Sequence, residues 1–322
     1  MSLVHQLFLQ TLREIADFGQ PDFDAYRMPL VGGVLEHMAR NVPAYGSRLA
    51  AHMDGARFDL DRWTALPLLH ADEIARLGAA LAARALPPPA EEVVDSPFVP
   101  NGPVLRRSLL ARTAQECERE LAYEANALDL AASLAVLHGD HAIGQGVGWS
   151  ITFAQSPWLA GDVQASAADQ LGWLRWSGAS ILRTTALIAL HLAQNVGPAG
   201  VAGLEAVIVA DNVLTDAVRA EIEQSLRARV VHVIEHPVLG YIAASDPAGG
   251  YSVSAGSAVA EIVDVAGRPT TDGAVGELVL TPLYEYALPF LRFATGIPAA
   301  AGSDRQTLLG VRKLSRVGEA PR

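Results

Sequence analysis

The chain predicts an α/β fold, a parallel sheet with packed helices, followed by a small antiparallel β subdomain. Two observations carry that prediction. First, strand-like and helix-like stretches alternate between residues 141 and 236, as in a parallel sheet whose crossovers are helices. Second, the texture changes from Tyr241 onward. Tyr251–Val253, Val259–Val265 and Glu277–Pro282, split by GRPTTDGAVG, read as antiparallel hairpins.

The elements follow in order. The opening MSLVHQLFLQTLREIADFGQ carries Asp, Glu and Arg among its apolar residues, so it predicts an amphipathic helix rather than a signal peptide. Residues 30–90 are predicted helical, with apolar side chains three and four apart in LVGGVLEHMARNVPAYGSRLAAHM and LHADEIARLGAALAARAL. Pro87-Pro88-Pro89 ends that region. Thr113 with Glu116 three positions on makes a capping box, which predicts a helix starting at Thr113. Gly139-Asp140 turns it into a strand over HAIGQGVGWSITF. A helix over ILRTTALIALHLAQNV, strand LEAVIVA, helix TDAVRAEIEQSLRAR and strand VVHVIEH complete the alternation. There is no internal repeat.

Bulk composition excludes several classes. The 322 residues suffice for a sizeable core. Half are hydrophobic and the mean hydropathy is +0.22, yet no run of 18 apolar residues appears, which argues against a membrane span. A net charge of −11 argues against nucleic acid as a partner. The single cysteine, Cys117, rules out an internal disulfide framework and points to a reducing cytoplasm.

Several segments then match one known pattern in order. VLEHMARNVPAYGSRLAAHM followed by LPLLHADEIA, LEAVIVADNVLTDAVRAEIEQSL, and GGYSVSAGSAVAEIVDVAGRPTTDGAVGELVLTPL through LRFATG resemble adenylate-forming enzymes, the phenylacetate–CoA ligase branch in particular. The resemblance implies the large N-terminal domain of that superfamily. Residues 1–95 would be its helical part, 96–240 the sheet core and 241–310 the β subdomain. Residues 311–322 would be a hinge remnant with the C-terminal domain absent. It says nothing by itself about activity.

The same resemblance exposes gaps in the nucleotide motifs. A Ser/Thr/Gly phosphate loop would fall on DSPFVPNGPVL, where Ser96, Asn101, Gly102 and Pro103 are the only echoes. Pro97 and Pro100 remove backbone donors there. The adenine-packing motif appears as Ala210-Asp211-Asn212. The aromatic and the Mg²⁺-holding glutamate of the next motif fall on Ile234 and, approximately, Val238. Arg292, Thr295 and Gly296 keep step with the last motif, but Ile297 stands where an aspartate would hold the ribose hydroxyls. At roughly 1.5–3 kcal/mol per charge-assisted hydrogen bond, such losses sum to on the order of 8 kcal/mol. The pattern argues against ATP and Mg²⁺ as cofactors.

What remains is an acyl or aryl pocket. The resemblance places Trp149, Phe153 and Trp158 on or after the strand that lines the acid pocket of relatives, with Ile234 nearby; ordinary core packing is the competing reading. Cys117, expected in the first turn of the helix capped by Thr113, is a candidate nucleophile with His236 or Glu235 as base. Three flanking glutamates oppose that role, and burial in the core is the preferred reading of a free cysteine. HGDH has a metal-like spacing at His138 and His141, and GQGVG faintly resembles a dinucleotide loop, but neither has supporting context.

Three functions fit. The leading one is transfer of an aryl or acyl group from a CoA thioester to an acyl carrier protein in secondary metabolism, needing neither ATP nor Mg²⁺. The others are a divergent ATP-dependent aryl-acid–CoA ligase and a non-catalytic scaffold. A homodimer and a cytoplasmic location are compatible with each; a metal site is not expected.

Overall fold

The computed structural model describes residues 2–50, 52–54, 57–58, 60–88, 93–97, 104–139, 143–150, 152–270, 273–302 and 309–318. Two compact units emerge. One comprises Arg119–Glu235 and Tyr241–Gly249; the other comprises Ser2–Glu118, His236–Gly240 and Gly250–Arg322.

The first unit is built on a mainly parallel sheet. Its strands lie in the order Gly240–Ser245, Arg229–His236, Ala206–Ala210, Ile181–Thr184, Leu134–Leu137, Pro157–Ala160 and Gly144–Val147. The four pairings from Arg229–His236 through to Pro157–Ala160 are parallel, and the edge strand Gly144–Val147 runs antiparallel. Side chains alternate between the two faces, as the period of two requires. Val207, Val209 and Val230 face one apolar cluster with Leu171, Leu174, Leu192 and Ile222 from helices Ala167–Ser177, Ala186–Asn195 and Asp216–Leu226. Ala206, Ile208, Val231 and Val233 face the other, with Tyr123, Phe153 and Tyr241. Each fully buried Val, Leu or Ile in these layers stabilises by about 1.5–3 kcal/mol. The helices start on side-chain caps: Ser166, Thr185 and Thr215 accept from the backbone N–H groups of Asp169, Ile188 and Val218.

Here the expected elements need four corrections. The helix expected to run from Thr113 to the Gly139 turn ends at Ala125, and Leu134–Leu137 behind it is a buried strand paired on both sides. The stretch from Ile181 is a strand before it is a helix, because Ile181–Leu182 with Thr184 bury on both faces while Thr185 caps the helix behind them. Helix Ala167–Ser177 and strand Pro157–Ala160 were not anticipated. The Ser166-to-Asp169 spacing and Gly178, at φ +61°, were the helix's start and stop signals.

The second unit holds helices Leu3–Ala16, Gln20–Asn41 and Pro43–Ala50, and an antiparallel sheet. That sheet runs Ala258–Val263, Val275–Pro282, Phe293–Ala301, Lys313–Val317, Tyr251–Val253. Lys313–Val317, expected as part of a hinge, is thus a paired strand. The helix expected from Thr113 begins four residues earlier, at Leu109. Ser108 is its cap: its Oγ accepts from Ala111 N at 3.1 Å and donates to Tyr284 O at 2.8 Å. Thr113 lies inside the helix and donates to Leu109 O at 2.8 Å. Ala258–Val263 and Val275–Pro282 pair as the expected hairpin.

Arg292 anchors this unit. It is a non-glycine residue at φ +46°, a conformation that costs on the order of 1 kcal/mol or more and persists only when the surroundings impose it. Its buried guanidinium meets both Glu261 oxygens, at 3.0 and 3.1 Å, and the carbonyls of Leu66 and Gly267 at 2.5 and 2.9 Å. Every nitrogen of Arg292 is committed to holding the sheet.

Candidate functional site

Inside the first unit the sheet face opposite the three helices carries a cavity of about 330 Å³. Its apolar walls come from a loop with a defined cause. Gly148, at φ +79°, turns the chain where a Cβ would stand 2.9 Å from Ala154 O. The loop then closes through Gly148 N to Ser156 O at 3.0 Å and Trp149 N to Phe153 O at 3.2 Å. Ser156 Oγ ties it to Ala132 O. These bonds present Trp149 and Phe153 on one side. Trp158, from the adjacent strand, meets Trp149 edge to face at 5.0 Å. The strand residue opposite Trp158 is Gly146, whose Cβ would fall 2.9 Å from the indole nitrogen. The GQGVG glycines therefore make room for an indole and a turn; they belong to an edge strand, not to a dinucleotide loop. Tyr123 closes the wall against Phe153, with ring centres 5.6 Å apart.

The polar end of the cavity is an ion triad. Glu235, on the same strand face as Val231 and Val233, accepts from Arg119 Nη2 at 3.0 Å and from Arg183 Nη2 at 2.7 Å. Burial alone would raise the Glu235 carboxyl; the two guanidinium groups outweigh it and hold the group down at about 2. Arg119 also lies 5.6 Å over the Tyr241 ring. Among the described lining residues two cations meet one anion.

Of the expected site residues, the structure brings Trp149, Phe153, Trp158 and Glu235 to one cavity. Arg119, Arg183 and Tyr123 line it too and escaped the sequence reading. An arginine in a helix or at a strand end carries no local signature, and the Glu235 partners are 116 and 52 positions away. Ile234 is fully buried and, one residue before Glu235, points to the other face of the sheet. It is not a wall of this cavity.

Cys117 does not sit at a helix start. It lies eight residues into its helix with no exposure, its Sγ 3.5 Å from His5 Nδ1 and from His5 O. A thiol there lacks the helix-end field and the access a nucleophile needs. Cys117 and His236 belong to the second unit and Glu235 to the first, and neither candidate base suits the task. Glu235 is a weak base at about 2. The His236 ring is pushed down to about 4 by burial and by Arg107; its Nδ1 already accepts from Val238 N at 3.2 Å, and its face meets Phe293 at 5.3 Å.

The positions matched to nucleotide contacts are also placed. Val238 and its neighbours form a braced loop within the second unit. Arg107 Nη2 donates to Val238 O at 2.5 Å and to Pro237 O at 3.2 Å, and Gln115 Nε2 donates to Leu239 O at 2.6 Å. A Cβ on Gly240, at φ +79°, would meet Gln115 and Arg107 side-chain atoms at 2.4 and 2.7 Å. The remaining space beside them is about 10 Å³, room for one water. Ile297 is buried, with its N–H donating to Thr295 Oγ1 at 3.1 Å. Asp211 is engaged as a cap: Oδ2 accepts from Ala186 N at 3.2 Å and Oδ1 from Asn212 N at 2.8 Å. Ser96 lies in strand Val93–Pro97, while Asn101, Gly102 and His141 lie outside the described residues. Among the described residues no group of three or more His, Cys, Asp or Glu could hold a metal ion, and no helix is long and apolar enough to cross a membrane.

No protein-family model matches the chain, and no curated protein does. Solved structures do. 2-Hydroxyisobutyryl-CoA ligase in complex with 2-HIB-AMP and CoA, in its thioesterification state, superposes with a TM-score of 0.72 at 14% identity, over 92% of this chain and 67% of that one. An open conformation of the same enzyme gives 0.68 at 14% identity, over 90% and 72%. Its postadenylation state with 2-HIB-AMP gives 0.66 at 16%, over 88% and 64%. The fold is that of the large N-terminal domain of adenylate-forming enzymes. This chain spans about two thirds of the ligase's length, and at such identities the likeness establishes the fold alone.

Proposed function

We propose that the chain handles an aryl or acyl group delivered as a CoA thioester, in the cavity between Trp149, Phe153, Trp158 and the Glu235 triad. The cavity is the observation that carries this reading. Its volume falls within the ~300–1,000 Å³ of small-molecule sites, and its apolar walls with a few convergent polar groups are the usual composition. The aromatic rings would hold the acyl or aryl body. The Arg119 and Arg183 N–H groups would face the thioester carbonyl, where donors stabilise the oxyanion of a tetrahedral intermediate. The thiol of an acyl carrier protein would add to that carbonyl and the CoA thiolate would leave, taking up the proton released by the incoming thiol. Such a transfer in secondary metabolism uses an acyl group that is already activated, so ATP and Mg²⁺ have no part in it. The braced loop at Val238 and the apolar Ile297 support that absence.

A second reading is an ATP-dependent acid–CoA ligase. The fold neighbour bound to 2-HIB-AMP and CoA favours it. Calorimetric titration with benzoate, benzoyl-CoA, free CoA and Mg·ATP separates the two. Binding of benzoyl-CoA without Mg·ATP, weakened at least tenfold in Trp158→Ala, supports thioester handling. Binding of Mg·ATP with pyrophosphate release on adding benzoate would replace it with the ligase reading. Titration with none of the four would overturn both.

A further inference from the structure

The second unit contains a cavity of its own, of about 400 Å³, whose lining shares no residue with the space beside the braced loop at Val238. One stripe of helix Gln20–Asn41 forms its floor: Gly33, Glu36, His37, Arg40 and Asn41, at the three- and four-residue spacing of a single helix face. Tyr284 and Tyr286 form a wall. We propose that this cavity binds a small neutral aromatic molecule carrying a hydroxyl group.

Three observations carry it. The floor is open by construction. Glycine inside a helix costs about 1 kcal/mol relative to alanine, and a Cβ on Gly33 would meet nothing within 4 Å. A residue that weakens its helix without easing any contact leaves space and nothing else.

The polar groups divide into those already used and those offered. Imidazole Nε2 of His37 donates to Tyr286 O at 2.9 Å, and Nδ1 accepts from Asn41 Nδ2 at 3.2 Å. Both ring nitrogens are therefore occupied in the neutral form, and burial lowers the ring's proton affinity in the same sense. The Tyr284 hydroxyl is paired with that of Tyr26 at 3.1 Å. Unused among the described residues are the Tyr286 hydroxyl and Asn41 Oδ1, one group able to donate or accept and one acceptor. A ligand hydroxyl answers both.

Charge excludes an anion. Among the described residues the ionised lining groups are Arg40 and Glu36, which face each other at 3.7 Å with opposite charges. This distinguishes the site from the first unit's cavity, where two arginines oppose one glutamate. The Tyr286 ring, edge-on to His37 at 5.1 Å, leaves an aromatic surface for a second ring to stack against.

Titration calorimetry of the full chain with 2-naphthol at pH 7, against 2-naphthoate as the charged analogue, tests the proposal. Saturable binding of 2-naphthol is expected, with 2-naphthoate at least tenfold weaker. Gly33→Leu fills the floor and should weaken 2-naphthol at least tenfold; an unchanged urea midpoint shows that the variant folds. Tyr286→Phe, which removes one oxygen, should weaken it roughly threefold to tenfold, the equivalent of one hydrogen bond. Absence of saturable binding, equal or tighter binding of 2-naphthoate, or an affinity unchanged in both variants would overturn it. Both ligands are titrated into Trp158→Ala as well, so that binding at the first cavity is separated from binding here.

Discussion

Replacing Glu235 with Gln should destabilise the protein and open its cavity to anions together. The carboxylate accepts from Arg119 at 3.0 Å and Arg183 at 2.7 Å, and is held at about 2 against an ordinary 4.5. A difference of about 2.5 pH units corresponds to about 3 kcal/mol of preference for the charged form, at 1.36 kcal/mol per unit. The side chains of Glu235, Arg119 and Arg183 keep 24%, 17% and 11% exposure, so solvent screening trims this to about 2 kcal/mol. Glutamine preserves shape and one acceptor but removes the Glu235 charge from two largely buried guanidinium groups. The pH dependence is an internal check. A depressed carboxylate contributes stability that is present above its unfolded value of about 4.5 and is lost as pH falls through about 2. Urea denaturation of the wild type and Glu235→Gln should thus differ by about 2 kcal/mol at pH 7 and converge between pH 4.5 and 2. The freed arginines should also bind benzoate at least fivefold tighter in titration calorimetry. A difference below 0.5 kcal/mol at pH 7, or one that does not shrink on acidification, would refute the triad as described.

Other expectations test neighbouring parts. Burial lowers His232 to about 4, and its Nε2 donates to Asp211 O at 3.0 Å; burial and Arg107 lower His236 to about 4. Nitrogen-15 NMR should find both rings neutral down to about pH 4, and a midpoint near 6.5 for either would contradict its packing. Because a buried neutral histidine must take up a proton to unfold in acid, His232 contributes stability that is full above pH 6.5 and lost toward pH 4. Glu261→Gln leaves the buried Arg292 guanidinium without its counter-charge and should cost about 3–5 kcal/mol in denaturant unfolding. A loss under 1 kcal/mol would mean that the carbonyls of Leu66 and Gly267 suffice. Cys117→Ala should lower stability by about 1–2 kcal/mol through lost packing while leaving benzoyl-CoA affinity unchanged. A native thiol that reacts with a disulfide reagent as fast as free cysteine would restore Cys117 as a nucleophile.

Chain-local information was legible. Alternating apolar strands and capped helices around Ala206–Ala210, Asp216–Leu226 and Arg229–His236 read correctly, because propensity, caps and burial agree within a dozen residues. The antiparallel partnership of Ala258–Val263 and Val275–Pro282 read correctly for the same reason. The errors fall where a local signal had a competitor. Thr113–Glu116 matches a capping box, but Ser108 lies five residues before it and takes both an N–H and a carbonyl partner, so the helix begins there. Trp149, Phe153 and Trp158 were singled out as a cluster because they lie within ten positions of one another on a strand and its loop. Their shared cavity follows from Gly146 and Gly148, whose missing side chains admit an indole and a turn.

By itself the sequence determined the alternation of elements and the two textures. Those are properties of residue type and spacing along one segment. Only the tertiary structure decided what the polar residues do. Glu235 meets arginines from a distant helix and a distant strand, Arg292 closes on Glu261, Arg107 braces the loop at Val238, and Cys117 disappears beneath His5. The physical reason is that charge, burial and hydrogen-bond satisfaction belong to the space around a side chain. Folding fills that space from parts of the chain that no local pattern connects.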